Sequence, residues 1–128
     1  MDEYELQMLY TEQIIDRYKN PRNFGKLIDF TIEGEDANEL CGDRIKMQLK
    51  IDGNKIVDVK FKGEGCSISL ASADLLCDYV KEKDLNELKK IDKNDVLKIL
   101  GIELTPVRLK CALLPLKVLK LAYLNLSR

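Results

Sequence analysis

Hydrophobic and polar residues alternate along this chain with two different periods, and each change of period marks an element. Between Ile45 and Phe61 the period is two. Ile45, Met47, Leu49 and Ile51 share one face of a strand, with Lys46, Gln48 and Lys50 on the other. Val57, Val59 and Phe61 repeat the pattern against Asp58, Lys60 and Lys62, and Asp52-Gly53-Asn54 between the runs signals a hairpin turn. Upstream, Leu27 to Ile32 reads as a first, edge-like strand, followed by an acidic loop over Glu33-Gly34-Glu35-Asp36.

Elsewhere the period is helical. Leu6, Leu9, Tyr10, Ile14 and Tyr18 fall near one face of an opening helix from Glu3 to Lys19, which Asn20-Pro21 ends. After Gly65-Cys66-Ser67 a second helix carries Leu70, Ala73, Leu76, Cys77 and Val80 on its apolar side. Two shorter helices follow at Asp84–Lys90 and Asp92–Leu100, each opened by an acidic residue that suits a helix N-terminus. Pro106 starts a last long helix with an apolar stripe of Val107, Leu109, Leu113, Leu116, Leu119 and Ala122. One helix, three strands and then several helices predict an α+β fold, a small three-stranded antiparallel sheet with helices packed on one face. Residues 1–128 read as a single domain, long enough to bury a core without staples.

Charge narrows the function classes. The formal net charge is −1 with no basic stripe, which argues against nucleic acid and anionic lipid as partners. The first residues are acidic rather than a signal peptide, and no apolar run approaches the roughly 20 residues that span a bilayer. A cytoplasmic location is the expectation, and in that reducing compartment four cysteines suggest metal or thiol chemistry before disulfides.

The chain contains no histidine, which removes Cys-His hydrolase dyads and imidazole zinc sites. Cys77 lies among Leu75, Leu76 and Val80, too far along its helix to reach Cys66, and reads as a core residue. The other three cysteines sit at element ends. Cys41 precedes Gly42 and Asp43, Cys66 stands at a helix start behind Gly63 and Gly65, and Cys111 follows Lys110. A helix N-terminus favours the Cys66 thiolate, and the Lys110 ammonium favours that of Cys111 if the two heads converge. Three thiolates and the Asp43 carboxylate form a four-donor set suited to zinc or to an iron–sulfur cluster. One hard carboxylate among soft sulfurs makes a bound cluster easier to release.

Several ordered motifs resemble the IscU/SufU family of iron–sulfur cluster assembly scaffolds, also found as the N-terminal part of NifU. Ile14 to Gly25 is similar to that family's opening helix and Asn-Pro-Arg-Asn turn. Asn38 to Asp43, Phe61 to Ala73 and Val107 to Leu114 resemble its three ligand loops. The resemblance implies a SufE/NifU-like α+β sandwich and a transient [2Fe–2S] cluster on Cys41, Asp43, Cys66 and Cys111. It also implies sulfur from a PLP-dependent cysteine desulfurase, delivered as persulfide to Cys41 or Cys111 with Lys110 alongside, and passage of the cluster to apo-proteins. On this reading the protein is a carrier rather than a turnover enzyme, a homodimer stays open, and the opening helix with the Asn20–Gly25 turn is the desulfurase docking surface.

The match is a hybrid of two branches. Lys110 stands where IscU-type members carry histidine, and Gly63 to Ser69 with Lys110 to Leu114 looks like SufU, whose zinc-bound form accepts sulfur. Yet the insertion typical of SufU is absent from the 44 residues between Cys66 and Cys111. Leu104-Thr105-Pro106-Val107-Arg108 also differs from the chaperone-recruiting segment of IscU. The rival expectations are therefore a Zn2+-dependent sulfur acceptor and a small domain with a purely structural zinc.

Overall fold

The computed structural model describes residues 1–126. Its elements in chain order are α1 (Glu3–Lys19), β1 (Ile32–Asn38), β2 (Asp43–Asp52), β3 (Lys55–Glu64), α2 (Ser67–Val80), α3 (Leu85–Lys90), α4 (Lys93–Leu100) and α5 (Pro106–Asn125). The strands form one antiparallel sheet in the order β1-β2-β3. Ile45, Met47 and Leu49 of β2 and Val59 and Phe61 of β3 pack against Leu76, Cys77 and Val80 of α2 and Val118, Leu119 and Ala122 of α5. A second cluster, with Ile14, Ala71, Leu75, Val96, Leu100 and Ala112, fastens α1 and α4 to the outside of α2 and α5. This is the α+β arrangement expected from the pattern, with Cys77 fully buried in the core. No helix among the described residues is long and apolar enough to cross a membrane.

The first strand lies later than its hydrophobicity suggests. The acidic stretch expected as a loop is the body of β1, because its charges also alternate. Glu33 and Glu35 point outward to Lys46 at 3.5 Å and Arg44 at 2.9 Å on β2. Gly34 between them faces α5, where a Cβ would overlap the Val118 carbonyl and lie 2.7 Å from the Ala122 nitrogen. An inward position filled by glycine hides the period of two. Residues 23–25 instead run beside β3, with Phe61 N–H donating to the Asn23 carbonyl and Gly25 N–H to the Phe61 carbonyl, each at 2.9 Å.

Three smaller differences share one origin, packing that hydrophobicity alone does not report. In β3 the register slips, so that Lys50 pairs with Asp58 and Ile51 with Ile56; Ile56 fills the core and Val57 is passed over. Of the apolar face expected on α1 only Ile14 is buried, while Leu6, Leu9 and Tyr18 are exposed. Arg17 is buried in their place, because it meets two carboxylates of α2, Asp74 at 2.8 Å and Asp78 at 2.7 Å. On α5, Val107 is exposed and the fully covered positions are Cys111, Ala112, Leu114, Pro115, Val118, Leu119 and Ala122. That helix packs both on the sheet and on the side of α2, so it buries a broader and differently centred face than a single stripe.

Candidate metal centre

Three element ends meet at one rim of the sheet. β1 and β2 are joined by the turn that carries Cys41, where Cys41 N–H donates to the Asn38 carbonyl at 3.2 Å and Gly42 turns the chain with φ +72°. Asp43 then enters β2 opposite Asn38 and is 1% exposed. β3 ends at Glu64, and Cys66 is the N-cap of α2, its sulfur accepting from Ser69 N–H at 3.5 Å. Cys111 sits in the second turn of α5 and is fully buried; its thiol donates to the Val107 carbonyl at 3.6 Å.

Asp43 binds the rim together. Its Oδ1 accepts from Cys66 N–H at 2.8 Å, and its Oδ2 lies 3.9 Å from the Cys66 sulfur. Gly65 makes that approach feasible, since a Cβ there would fall on Asp43 Oδ1 and 2.8 Å from Asp43 Cα, at a φ of +144°. One ligand atom each from Cys41, Asp43 and Cys111 lies within 4.8 Å of the others. Cys66 lies outside that trio, but its sulfur is 3.9 Å from Asp43 Oδ2, so the four expected donors gather at one rim, where Cys41 and Cys66 are half-exposed. Three sulfurs and one carboxylate oxygen are a donor set of the kind that suits zinc or iron.

The electrostatics differ from the expectation for Cys111. Burial, then contacts with Cys41, Asp43 and Cys66, push its thiol well above the ordinary value of 9.0. That shift favours the protonated thiol, so a metal held there would have to displace the proton. Lys110 is exposed and lines a neighbouring hollow of about 230 Å³ with Ala37, Asn38, Leu113 and Lys117. The cation that faces the thiols is Arg108, whose pKa is raised first by the charge of Cys66 and then by contacts with Cys66 and Cys111. Helical spacing carried the signal. Residues three apart share a face, whereas Lys110, one residue before Cys111, is turned about 100° away. Asn38, 4.0 Å from the Cys111 sulfur through Nδ2, and Ser69 are further neighbours not singled out from sequence.

Comparison with known proteins identifies the family. Residues 9–127 match the family described as NifU-like N terminal domain, and the chain belongs to that family. It is 39% identical to the zinc-dependent sulfurtransferase SufU of Bacillus subtilis, over 90% of this chain and 89% of that one. The iron–sulfur cluster assembly scaffold protein IscU of Escherichia coli K12 is 36% identical, over 90% and 91%. The iron–sulfur cluster assembly enzyme IscU of Drosophila melanogaster is 42% identical, over 89% and 75%. Among solved structures, a candidate SUF-system cluster assembly scaffold from Fervidobacterium islandicum AW-1 superposes with a TM-score of 0.77 at 33% identity, over 91% of this chain and 98% of that one.

Proposed function

We propose that this protein is a scaffold on which an iron–sulfur cluster, [2Fe–2S] in its simplest form, is assembled and then released to apo-proteins. The observation that carries the reading is the convergence of Cys41, Asp43, Cys66 and Cys111 from three separate element ends at a partly open rim. The IscU and SufU relatives support it. The cluster is cargo, so the protein's task is to hold and then release it rather than to turn over a substrate. Sulfur comes from a cysteine desulfurase with PLP as its cofactor. Cys41 is the better persulfide acceptor than Cys111, because it is half-exposed on a turn while Cys111 is fully buried. In that step the Cys41 thiolate attacks the outer sulfur of the donor persulfide, the S–S bond breaks, and the donor leaves as a thiolate.

Each remaining group has a defined part. Asp43 spends Oδ1 on Cys66 N–H and keeps Oδ2 for the cargo, so it is a ligand fixed in place but chemically mismatched to iron–sulfur units. Arg108 offsets the negative charge that the thiolates bring. The desulfurase docks on α1, whose Tyr4, Leu6, Met8 and Leu9 are exposed. Arg17 takes no part in that surface, being buried against Asp74 and Asp78, whereas Arg22 is exposed beside it.

Anaerobic reconstitution with iron, a desulfurase and cysteine tests the reading by visible absorption and metal analysis. A cluster chromophore that transfers to an apo-ferredoxin is expected, and Asp43→Ala should lengthen its half-life several-fold. A colourless protein that retains one equivalent of zinc would sink the scaffold reading. The second reading, a zinc-dependent sulfur acceptor, is favoured by the SufU relative and by a donor set that suits zinc equally. It requires that the zinc-loaded protein accelerate the desulfurase and carry persulfide on Cys41.

A further inference from the structure

Cys66 and Cys111 stand near the starts of two helices that lie against each other, and one buried hydroxyl joins those helices just behind the sulfurs. Ser72 Oγ on α2 donates to the Ala112 carbonyl on α5 at 2.7 Å, and Ser72 is 2% exposed. Ala112 is the residue after Cys111, and Ser72 lies on the second turn of the helix that Cys66 caps. Small side chains permit the close approach, since Ala71 on α2 and Ala112 on α5 are both fully buried.

α5 needs an external tie at this point. Pro115 stands inside the helix. Having no N–H, it leaves the Cys111 carbonyl, four residues earlier, without its helical donor, and its ring crowds that same carbonyl. The turn that holds Cys111 is therefore weakened from within. α2 has no such defect, because it starts on the Cys66 cap and continues without proline.

We propose that Ser72 is a positioning residue of the metal centre: it fixes the separation of the Cys66 and Cys111 sulfurs by tying the proline-weakened turn of α5 to α2. The proposal rests on Cys66 and Cys111 acting as ligands of one site, and its test separates the two ideas. A metal-free arm measures the Cys66–Cys111 disulfide equilibrium against a glutathione buffer in a Cys41→Ser background, which reports how well the fold holds the two sulfurs together. Ser72→Ala should lower the effective concentration of the pair about tenfold, the scale of one lost hydrogen bond. Adding Pro115→Ala returns the missing N–H and should recover part of that loss. Pro115→Ala alone, which keeps Ser72, should raise the value, and it supplies the result if Ser72→Ala does not fold.

A second arm uses Co2+ as the probe on the chain with all its cysteines. Ser72→Ala should show weaker thiolate-to-cobalt absorption and faster loss of Co2+ to a chelator, while Ser72→Thr retains the wild-type spectrum. Unchanged disulfide equilibria in the Ser72 and Pro115 variants, with only a lower unfolding midpoint in urea, would overturn the proposal. If the disulfide arm responds as expected but the wild-type chain binds no Co2+ through its thiols, the positioning role stands and the proposed function falls.

Discussion

Gly42 and Gly65 each neighbour a cysteine of the site, and the fold uses them in opposite ways. Gly65 is wedged against Asp43, with no room for a Cβ and a φ of +144° that is hostile to any other residue. Gly42 also has a positive φ, +72°, but nothing lies within 4 Å of where its Cβ would be. One side of the rim is thus locked, with the Cys66 N–H held by Asp43 at 2.8 Å and its sulfur accepting from Ser69 N–H at 3.5 Å. The other side is a turn open to solvent at Gly42, whose half-exposed cysteine donates its backbone N–H to the Asn38 carbonyl at 3.2 Å. The proposed scaffold role would use both, a fixed edge that keeps donors in register and a loose edge through which sulfur could enter and cargo leave.

The locked edge is the place to break this contrast with the largest effect. Gly65→Ala puts a methyl group onto the Asp43 carboxylate and forces an unfavourable backbone region at the same residue. Overpacking and backbone strain together should destabilise the protein by about 3 kcal/mol or more. Urea unfolding of the metal-free protein measures that loss. A loss below about 1 kcal/mol would show that the Asp43–Gly65 contact yields easily and that the edge is not locked.

Sequence alone could nominate the donors but not rank the two edges. Cys41, Asp43 and Cys66 stood out because each sits beside a glycine at an element end, where distant residues meet, whereas Cys111, in the second turn of α5, entered the set through Lys110 and the family resemblance. What distinguishes Gly65 from Gly42 is a contact with a residue 22 positions away in the chain, and local pattern carries no trace of it. The same blindness moved β1. Its inward position is Gly34, a residue defined by the helix against it, so the alternation shows only in charges that pair across to β2. Arg17 is the converse case, a charge on an expected surface that Asp74 and Asp78 draw into the interior. For Lys110 against Arg108 the information was present in the helical period. Adjacency in sequence is a poor guide to adjacency on a helix, and the cation three residues from Cys111 is the one that faces the thiols.

An alkaline titration sharpens the contrast from the buried side. Behind the locked edge Cys77 is fully buried, and its thiol is pushed well above 9.0 by burial and then by the charge of Asp74. The sign follows from proton counting. Above pH 9 the unfolded chain gives up this proton while the folded chain keeps it, so stability is full below about pH 9 and falls as pH rises through the folded value. One such thiol contributes a slope of about 1.4 kcal/mol per pH unit. Cys77→Ala, measured by urea unfolding at pH 8 to 10, should remove a total loss of about 1.4 kcal/mol across that range, most of it between pH 9 and 10. An unchanged slope would mean that the core opens to hydroxide before this thiol titrates.

The smallest effect is expected on the loose edge, and it tests the comparison most directly. Gly42→Ala meets no neighbouring atom and incurs only the cost of a left-handed backbone with a Cβ, about 1 kcal/mol. Stability should therefore change far less than in Gly65→Ala. Function should follow a different order. A stiffer turn holds Cys41 more firmly over Asp43 and Cys111, so persulfide arrival, read as the rate of sulfur uptake from the desulfurase, should slow several-fold. Cluster half-life should lengthen in the same variant, because the edge through which cargo leaves has lost freedom. Sulfur uptake and release that both match the wild type would mean that Cys41 needs no motion of its turn, and that the partly open rim already presents its sulfur to the donor.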